Sequence, residues 1–499
     1  MTNSRDHTLE FVIAFAGAIL ILVWRWYQSR LLVFPAWVDS VHHVLLTRIL
    51  VENRLNQLTW EPYLHDSPFY YHFGFHAAAA LTALATGITP RAAVLSTGLC
   101  WHAVLGGSIY LLGRAIGLSR VAAFTALLFA GLVTYSPAIY IAWGRYSLVA
   151  GLALACLTLA SMLHKRWVLA AFLAILTSVT HIFGIALVLG YSVLHTLTAT
   201  FTGEQPQSRT VMLILSPSLL WPTYAVLKTV AIFGHDVITP SIHAVVLSGA
   251  GQILAQWPSN LVLAMGACAA VWQLARQRRH VHAQASTLVP MAFLLAGLFA
   301  YAAIGRIGII RSDHAAILLF LPASILAADA VWRLAPAFPA LLLVAALLVA
   351  GTVKTYPIVK PIHIIADQDD AAMLAWIAQN TDKNAAFLVD VSPWAGNMWR
   401  GIDGGWWISA ETGRRTVPPP IAYAWGGFDN LQEVSRVSEE LYRLPSYSRE
   451  EYCSKLELIM QMSQTDYYYS RTDRPGLCPN LHSEVSIAGV TLYRVSQDD

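Results

Sequence analysis

The stretch AAILLFLPASILAADAV, residues 315–331, holds a single charged side chain, Asp329. About 20 apolar residues span the hydrocarbon core of a bilayer. FPALLLVAALLVAGTV (338–353) follows it closely, and PMAFLLAGLFAYAA (290–303) and Val211–Phe233 come before it. Inside lipid the backbone must bond to itself, so such runs are helices. Of 499 residues, 56% are hydrophobic and 12% charged, against about 25% charged in a soluble domain. The apolar residues therefore belong to membrane spans, not to one large soluble core. The first run, Leu9–Trp24, has the length of a signal peptide. It lacks a small-residue cleavage site and many spans follow it, so it reads as a retained anchor.

Spans are predicted near residues 9–27, 92–112, 121–138, 148–163, 167–181, 184–200, 211–233, 258–274, 287–304, 314–332 and 337–353, about eleven in all. The 167–200 region has to break into two short helices around Val179–Gly184. With a cytoplasmic N-terminus, the inner loops are Gly113–Arg120, His164–Arg166, Thr202–Thr210, Gln273–Ala285 and Arg333–Pro336. Each is basic, through Arg114 and Arg120, Lys165 and Arg166, Arg209, Arg276 with Arg278 and Arg279, and Arg333. That is the expected bias for cytoplasmic loops. The first outer loop, 28–91, also holds Arg30, Arg48, Arg54 and Arg91, but long loops obey the rule poorly. Phe73–Gly87 is read as a membrane-edge or re-entrant helix, since counting it as a span would invert the inner loops up to about residue 165.

Residues 1–353 thus form the transmembrane domain, in the cell (plasma or cytoplasmic) membrane. After Val353 the composition changes, with Pro357 and Pro361 and a return of charge. Asp367–Asn380 has helical character, and Ala385–Val391 and Val485–Val495 read as strands. Residues 354–499 are expected to be a small extracytoplasmic α+β domain, making the fold class mainly α with a polytopic helical bundle. Cys453 and Cys478 both lie outside, where disulfides persist, and are candidates to pair. Cys100, Cys156 and Cys268 lie in apolar runs and read as buried small hydrophobes. A net charge of +3 gives no reason to expect a nucleic acid.

Under this topology the ionisable residues gather at one membrane face. They are Asp39, His42 and His43; His72 and His76; Arg145; His181; His235, Asp236 and His243; and Arg306, Arg311, Asp313 and His314. Carboxylate, imidazole and guanidinium converging near lipid read as a site for an anionic ligand. The simpler reading is that wet loops are polar.

In Trp37-Val38-Asp39-Ser40-Val41-His42-His43, Asp39 can act as a general base, help hold a divalent metal, or cap a helix beginning at Ser40. Asp39 and His43, four apart, share a helix face. His72 and His76 have the same spacing, for a metal or phosphate site or an aromatic interfacial belt. Arg311 opens an apolar helix, where its planar fork suits a phosphate or an ion pair with Asp313. Asp403-Gly404-Gly405-Trp406-Trp407 offers tryptophans for sugar stacking or for a core. The sequence has no Walker motif, GxGxxG, serine-hydrolase elbow or HExxH.

These features resemble the GT-C superfamily of membrane glycosyltransferases, in architecture over most of the chain and in motif over short stretches. The resemblance rests on an acid just after span one (WVDSVHHVLLTRILVENR), an aromatic-Gly-His helix (YYHFGFHAAAALTALATG), an arginine opening a late span (RSDHAAILLFLP), and a C-terminal domain with DGGWWISAETGRRTVPPP. It implies a polyprenyl-phosphate-linked sugar as donor and a glycan, lipid or protein acceptor. Asp39 would be the catalytic or metal-binding carboxylate, with Mg or Mn as the metal, and Arg311 with Arg306 would meet the lipid phosphate. His42, His43, His72, His76, Arg145, His181, Asp236, Trp406 and Trp407 would line the site. Two departures favour single-sugar transfer over asparagine-linked transfer. Ile408 follows the tryptophans where oligosaccharyltransferases have Asp, and the second outer loop carries Trp143-Gly144-Arg145-Tyr146-Ser147 in place of acidic ligands. The competing readings are a transporter or flippase for a lipid-linked or polar solute, and a non-catalytic envelope assembly protein.

Overall fold

The computed structural model describes residues 4–55, 59–61, 63, 69–201, 208–233, 249–279, 287–304, 312–394, 398–420 and 428–495. The chain divides into two compact units. Unit 1 is Met1–Arg30, Tyr71–Phe75 and Ser96–Val359; unit 2 is Leu31–Tyr70, His76–Leu95 and Lys360–Asp499.

Unit 1 is helical. Among the described residues, seven helices are long and apolar enough to cross a membrane: Thr8–Ser29, Pro90–Ile116, Tyr146–Leu163, Ile182–Phe201, Arg209–Ile232, Ser312–Leu334 and Ala337–Thr355. The count of eleven is not reached on length and composition alone, since Arg120–Val133, Trp167–Thr180 and Leu288–Ala303 are shorter. The expected break in the 167–200 region falls at His181, whose backbone is extended between Trp167–Thr180 and Ile182–Phe201. Gly74–Thr86 is a helix of 13 residues. At 1.5 Å per residue it is about 20 Å long, short of a hydrocarbon core of about 30 Å.

Backbones approach closely where glycine permits, as is usual between membrane helices. A Cβ on Gly184 would stand 2.5 Å from the carbonyl oxygen of Gly151, and one on Gly351 would stand 2.5 Å from the Cα of Val133. The second contact seats the Ala337–Thr355 helix on a buried π-helical turn, Phe129–Val133. Arg25, fully buried, reaches the same turn. It donates to Gln28 Oε1 (2.7 Å) and to the carbonyl of Gly131 (2.5 Å), and Gln28 donates to the carbonyl of Thr355. At the other end of the first helix, Glu10 accepts from Tyr110, Arg114 and Arg120.

Unit 2 contains the Trp37–Glu52 helix and a sheet built from the C-terminal third of the chain. Its strands are β1 (Ala386–Val389), β2 (Val391–Pro393), β3 (Trp399–Gly401), β4 (Arg415–Val417), β5 (Tyr467–Ser470), β6 (Leu481–Ile487) and β7 (Val490–Val495). Five of them pair in the order β4-β1-β5-β7-β6, with β2 and β3 forming a separate ribbon. Val485–Val495 is not one strand as expected. It turns at Ala488 and Gly489, both at positive φ, making an antiparallel hairpin. Asp367 caps the helix Gln368–Asn380 by accepting from the amides of Asp369 and Asp370. Cys453 and Cys478 form a disulfide. The expected burial of the other cysteines is met at Cys156 but not at Cys100 and Cys268, which are exposed.

The domain core holds acids. Asp370 has no exposed surface and accepts from Tyr469 (2.5 Å) and Arg471 Nη2 (2.5 Å). Asp390 accepts from the Tyr468 hydroxyl at 2.5 Å. Burial pushes its carboxyl up to about 6, against the pull of that bond. Burial, and Asp390 nearby, raise Asp403 well above the usual carboxylate range.

Two predictions follow from this packing. Gly351→Ala should lower the melting temperature of the purified protein in detergent, because the added methyl meets backbone that cannot move aside. Overpacking of this kind costs about 1–3 kcal/mol, and an unchanged melt would show that the two helices can separate at no cost. The second concerns pH. Unfolded Asp390 releases its proton near about 3.9, whereas the folded group keeps it up to about 6. Between those values the folded state holds a proton that the unfolded state has lost, so stability falls as pH rises, then levels off. Asp390→Asn stays neutral and still accepts from Tyr468. It should gain on wild type between about pH 4 and about pH 6 and gain no more above, in melts taken across that range. Parallel curves would contradict it.

Candidate active site

The sequence-predicted residues fall into two groups, one in each unit. In unit 2 the Trp37–Glu52 helix carries Asp39, His42 and His43. It begins at Trp37 with Ala36 at the cap position, so Asp39 is not the cap of a helix starting at Ser40. Asp39 lies half-buried in the first turn, where the helix dipole favours a carboxylate. The residue that opens the helix is strained. Trp37 has φ of 71°, a region that bulky side chains rarely adopt. The Arg400 guanidinium lies 4.8 Å from the centre of its ring, and His363 meets its edge with centroids 5.7 Å apart. Strain held in place by neighbours is common at functional sites.

One helical turn on, His43 is buried and its Nδ1 lies 2.7 Å from Nε2 of His76. His76 belongs to the first turn of Gly74–Thr86, also within unit 2. His42 faces Trp406 edge-on, with centroids 6.2 Å apart. Burial, and His43 beside it, push its imidazole down to about 3. At neutral pH His42 is therefore an uncharged hydrogen-bonding group, with no positive charge to offer a phosphate.

Trp406 and Trp407 occupy a short 3-10 turn, Gly404–Trp407, that Asp403 caps by accepting from the Gly405 amide at 2.9 Å. Both indoles are buried, and Trp407 packs on Phe34 with ring centroids 4.9 Å apart. Their Nε1 atoms and Nδ1 of His42 are sealed from solvent without a hydrogen-bond partner among the described residues. Phe34 in turn lies 4.3 Å from the Arg91 guanidinium, and Arg91 pairs with Glu411 at 3.6 Å. Arg48 donates to the carbonyl of Ala410 at 3.4 Å and pairs with Glu52 at 2.7 Å. Burial raises Glu411, while Arg91 and Arg48 pull it back down.

The second group lies in unit 1. His72 precedes the Gly74–Thr86 helix, so it does not share that helix with His76, despite the four-residue spacing. Its Nε2 is 3.2 Å from Oγ of the buried Ser147. Its ring lies 4.4 Å from that of His181, centroid to centroid. Phe183 lies between His181 and His314, at 5.2 and 5.1 Å. Arg145 opens the Tyr146–Leu163 helix, with its guanidinium 5.1 Å from the Trp143 ring. Arg306, Arg311, His235, Asp236 and His243 lie outside the described residues.

Among the described residues, no three His, Cys, Asp or Glu side chains come close enough together to hold a metal ion. Around Asp39, two of the three histidines bond to each other.

Sequence reasoning missed Arg48, Arg91, Glu411, Phe34 and Ser147. For the arginines a signal existed, since both stood out as bases in an outer loop. Ser147 offered none, because its partner is far away in sequence.

No protein-family model matches the sequence, and no curated protein matches it. Solved structures match the fold. An oligosaccharyltransferase from Archaeoglobus fulgidus, solved with a tethered acceptor peptide containing the NVT sequon, gives a TM-score of 0.58 at 10% identity. The match covers 96% of this chain and 74% of that one. The arabinofuranosyltransferase AftD from Mycobacteria gives 0.62 at 16% identity, over all of this chain but 40% of AftD. ArnT from Cupriavidus metallidurans, in the apo state, gives 0.58 at 13% identity, over 99% of this chain and 100% of ArnT. At such identities the likeness to these three structures is one of fold alone.

Proposed function

We propose that the chain is a membrane glycosyltransferase that moves a single sugar from a polyprenyl-phosphate carrier to an acceptor hydroxyl on the extracytoplasmic face. The observation that carries this reading is the end-to-end correspondence of fold with ArnT, combined with a carboxylate in the first turn after the first membrane helix. The C-terminal unit would lie outside the cytoplasm, and the membrane would be the cell membrane.

In the reaction Asp39 takes the proton of the acceptor hydroxyl as its oxygen attacks the anomeric carbon. The bond from that carbon to the phosphate oxygen breaks, and polyprenyl phosphate leaves with the electron pair. Asp39 is proposed as the base; a role as ligand to Mg or Mn is the alternative, with Asp66 and Asp236 outside the described residues. Arginine must answer the leaving charge, since His42 is neutral at physiological pH. Arg311, with Arg306, takes that role. A phosphate is already a good leaving group, so one base and guanidinium donors suffice chemically.

Two variants test the roles, assayed with labelled polyprenyl-phospho-sugars and purified protein. Asp39→Asn should lower kcat by about 10²-fold or more, the worth of a positioned base, with its melting temperature kept near that of wild type. Unchanged turnover would remove Asp39 from the chemistry. Arg311→Gln should lower kcat/KM by about 10²–10³-fold, as loss of one charge-stabilising donor does. Wild-type kinetics in that variant would move phosphate binding elsewhere.

A further inference from the structure

Unit 1 also contains a cavity of about 290 Å³ that the proposed reaction does not use. That is near the lower end of ligand pockets, about 300–1,000 Å³, and suits a small ligand or a headgroup. Leu159, Met162 and Val211 form an apolar wall, and Lys165, His195 and Thr196 supply the polar side. Among the described residues, Lys165 is the charged lining residue and no carboxylate lines the cavity.

The lining comes from helix ends. Lys165 sits in the turn between Tyr146–Leu163 and Trp167–Thr180, His195 and Thr196 near the end of Ile182–Phe201, and Val211 at the start of Ser208–Leu215. These ends carry the basic segments. Arg166 and Arg209 are exposed there, beside Lys165 and Val211 in the chain. The turn that presents Lys165 is fixed. Its φ is 56°, and the amides of Lys165 and Arg166 donate to the carbonyls of Met162 and Ser161 at 2.9 and 2.8 Å. The back wall is held by Tyr191, whose hydroxyl donates to the carbonyl of Thr287 at 3.1 Å.

The neighbouring surface decides the source of the ligand. Val168, Phe201 and Met212 are 87%, 84% and 70% exposed, so apolar side chains next to the cavity face outward at a membrane edge. Trp167, another lining residue, has the amphipathic ring that favours the headgroup level. A cation over an apolar wall, with exposed apolar side chains beside it in the chain, matches a headgroup with its first acyl carbons. It does not match a wholly water-borne solute. We propose that this cavity binds the phosphate-bearing headgroup of an anionic phospholipid, with Lys165 against the phosphate and the glycerol end of the tails on Leu159, Met162 and Val211. The interaction draws on the attraction between basic membrane-edge residues and anionic leaflets.

The test is a thermal melt of the full-length protein in detergent, titrated with dioctanoyl phosphatidylglycerol, with dioctanoyl phosphatidylcholine, or with inorganic phosphate. Phosphatidylglycerol should raise the melting temperature in a saturable way, as a ligand of the folded state does. Lys165→Met should raise the half-saturating concentration by about tenfold or more, the worth of one charge-assisted contact. Thr196→Trp, which fills the cavity but keeps the lysine, should abolish the effect, so a folding defect in one variant does not leave the question open. An equal shift with phosphatidylcholine would overturn the proposal. So would an equal shift with inorganic phosphate alone, or wild-type titrations in both variants.

Discussion

A guanidinium inside a membrane helix has no water to answer it, so protein must do so. Arg25 is answered by Gln28 and by the carbonyl of Gly131. That carbonyl has its own need, because Gly131 lies in the last turn before the chain extends at Thr134, and terminal carbonyls lack helical partners. One bond meets both needs in a place where neither could be left unmet. Gln28 extends the arrangement to the carbonyl of Thr355, at the end of the last long helix of unit 1. The helices that begin and end the membrane part of the chain are thus joined through polar groups in an otherwise apolar bundle. Around this knot the packing is tight enough that a Cβ on Gly131 would stand 2.3 Å from Ile21.

Charge is placed with similar economy in unit 2. The arginines of residues 28–91, the stretch expected outside, run against the bias that sets membrane topology. Arg91 pairs with Glu411, and Arg48 reaches the carbonyl of Ala410. Both side chains are engaged with the segment that carries the tryptophan pair, so they serve the fold of that unit. Of the histidines near Asp39, His42 is held neutral by burial, and His43 and His76 are bonded to each other. Asp39 is left as the half-buried acid of its helix, two residues after a strained tryptophan.

The helices were legible because apolar runs in lipid have one solution. Even the break at His181 could be placed, since a continuous helix through 167–200 would have been too long for one span and would have inverted the later loops. The hairpin at Ala488-Gly489 was not legible, because its flanking residues continue the same β-rich pattern and the turn depends on two positive φ values. At the site, Asp39 and His43 could be placed on one helix from their spacing. The bond from His43 to His76 could not, because nothing local distinguishes a histidine bonded across elements from one that faces solvent. Spacing misled at His72 and His76. The helix starts between them, and each turns to a partner in its own unit.

Unit 2 draws on three separated segments, 31–70, 76–95 and 360–499, with most of the membrane helices threaded between the second and third. During synthesis the Trp37–Glu52 helix emerges early, but the residues that bury Phe34 and His42 arrive only after the last span has been made. Until then its apolar face is uncovered, and the pairing it awaits is of very long sequence separation, the kind that forms slowly. The nascent chain therefore carries a sticky, unfinished segment through nearly the whole of membrane insertion.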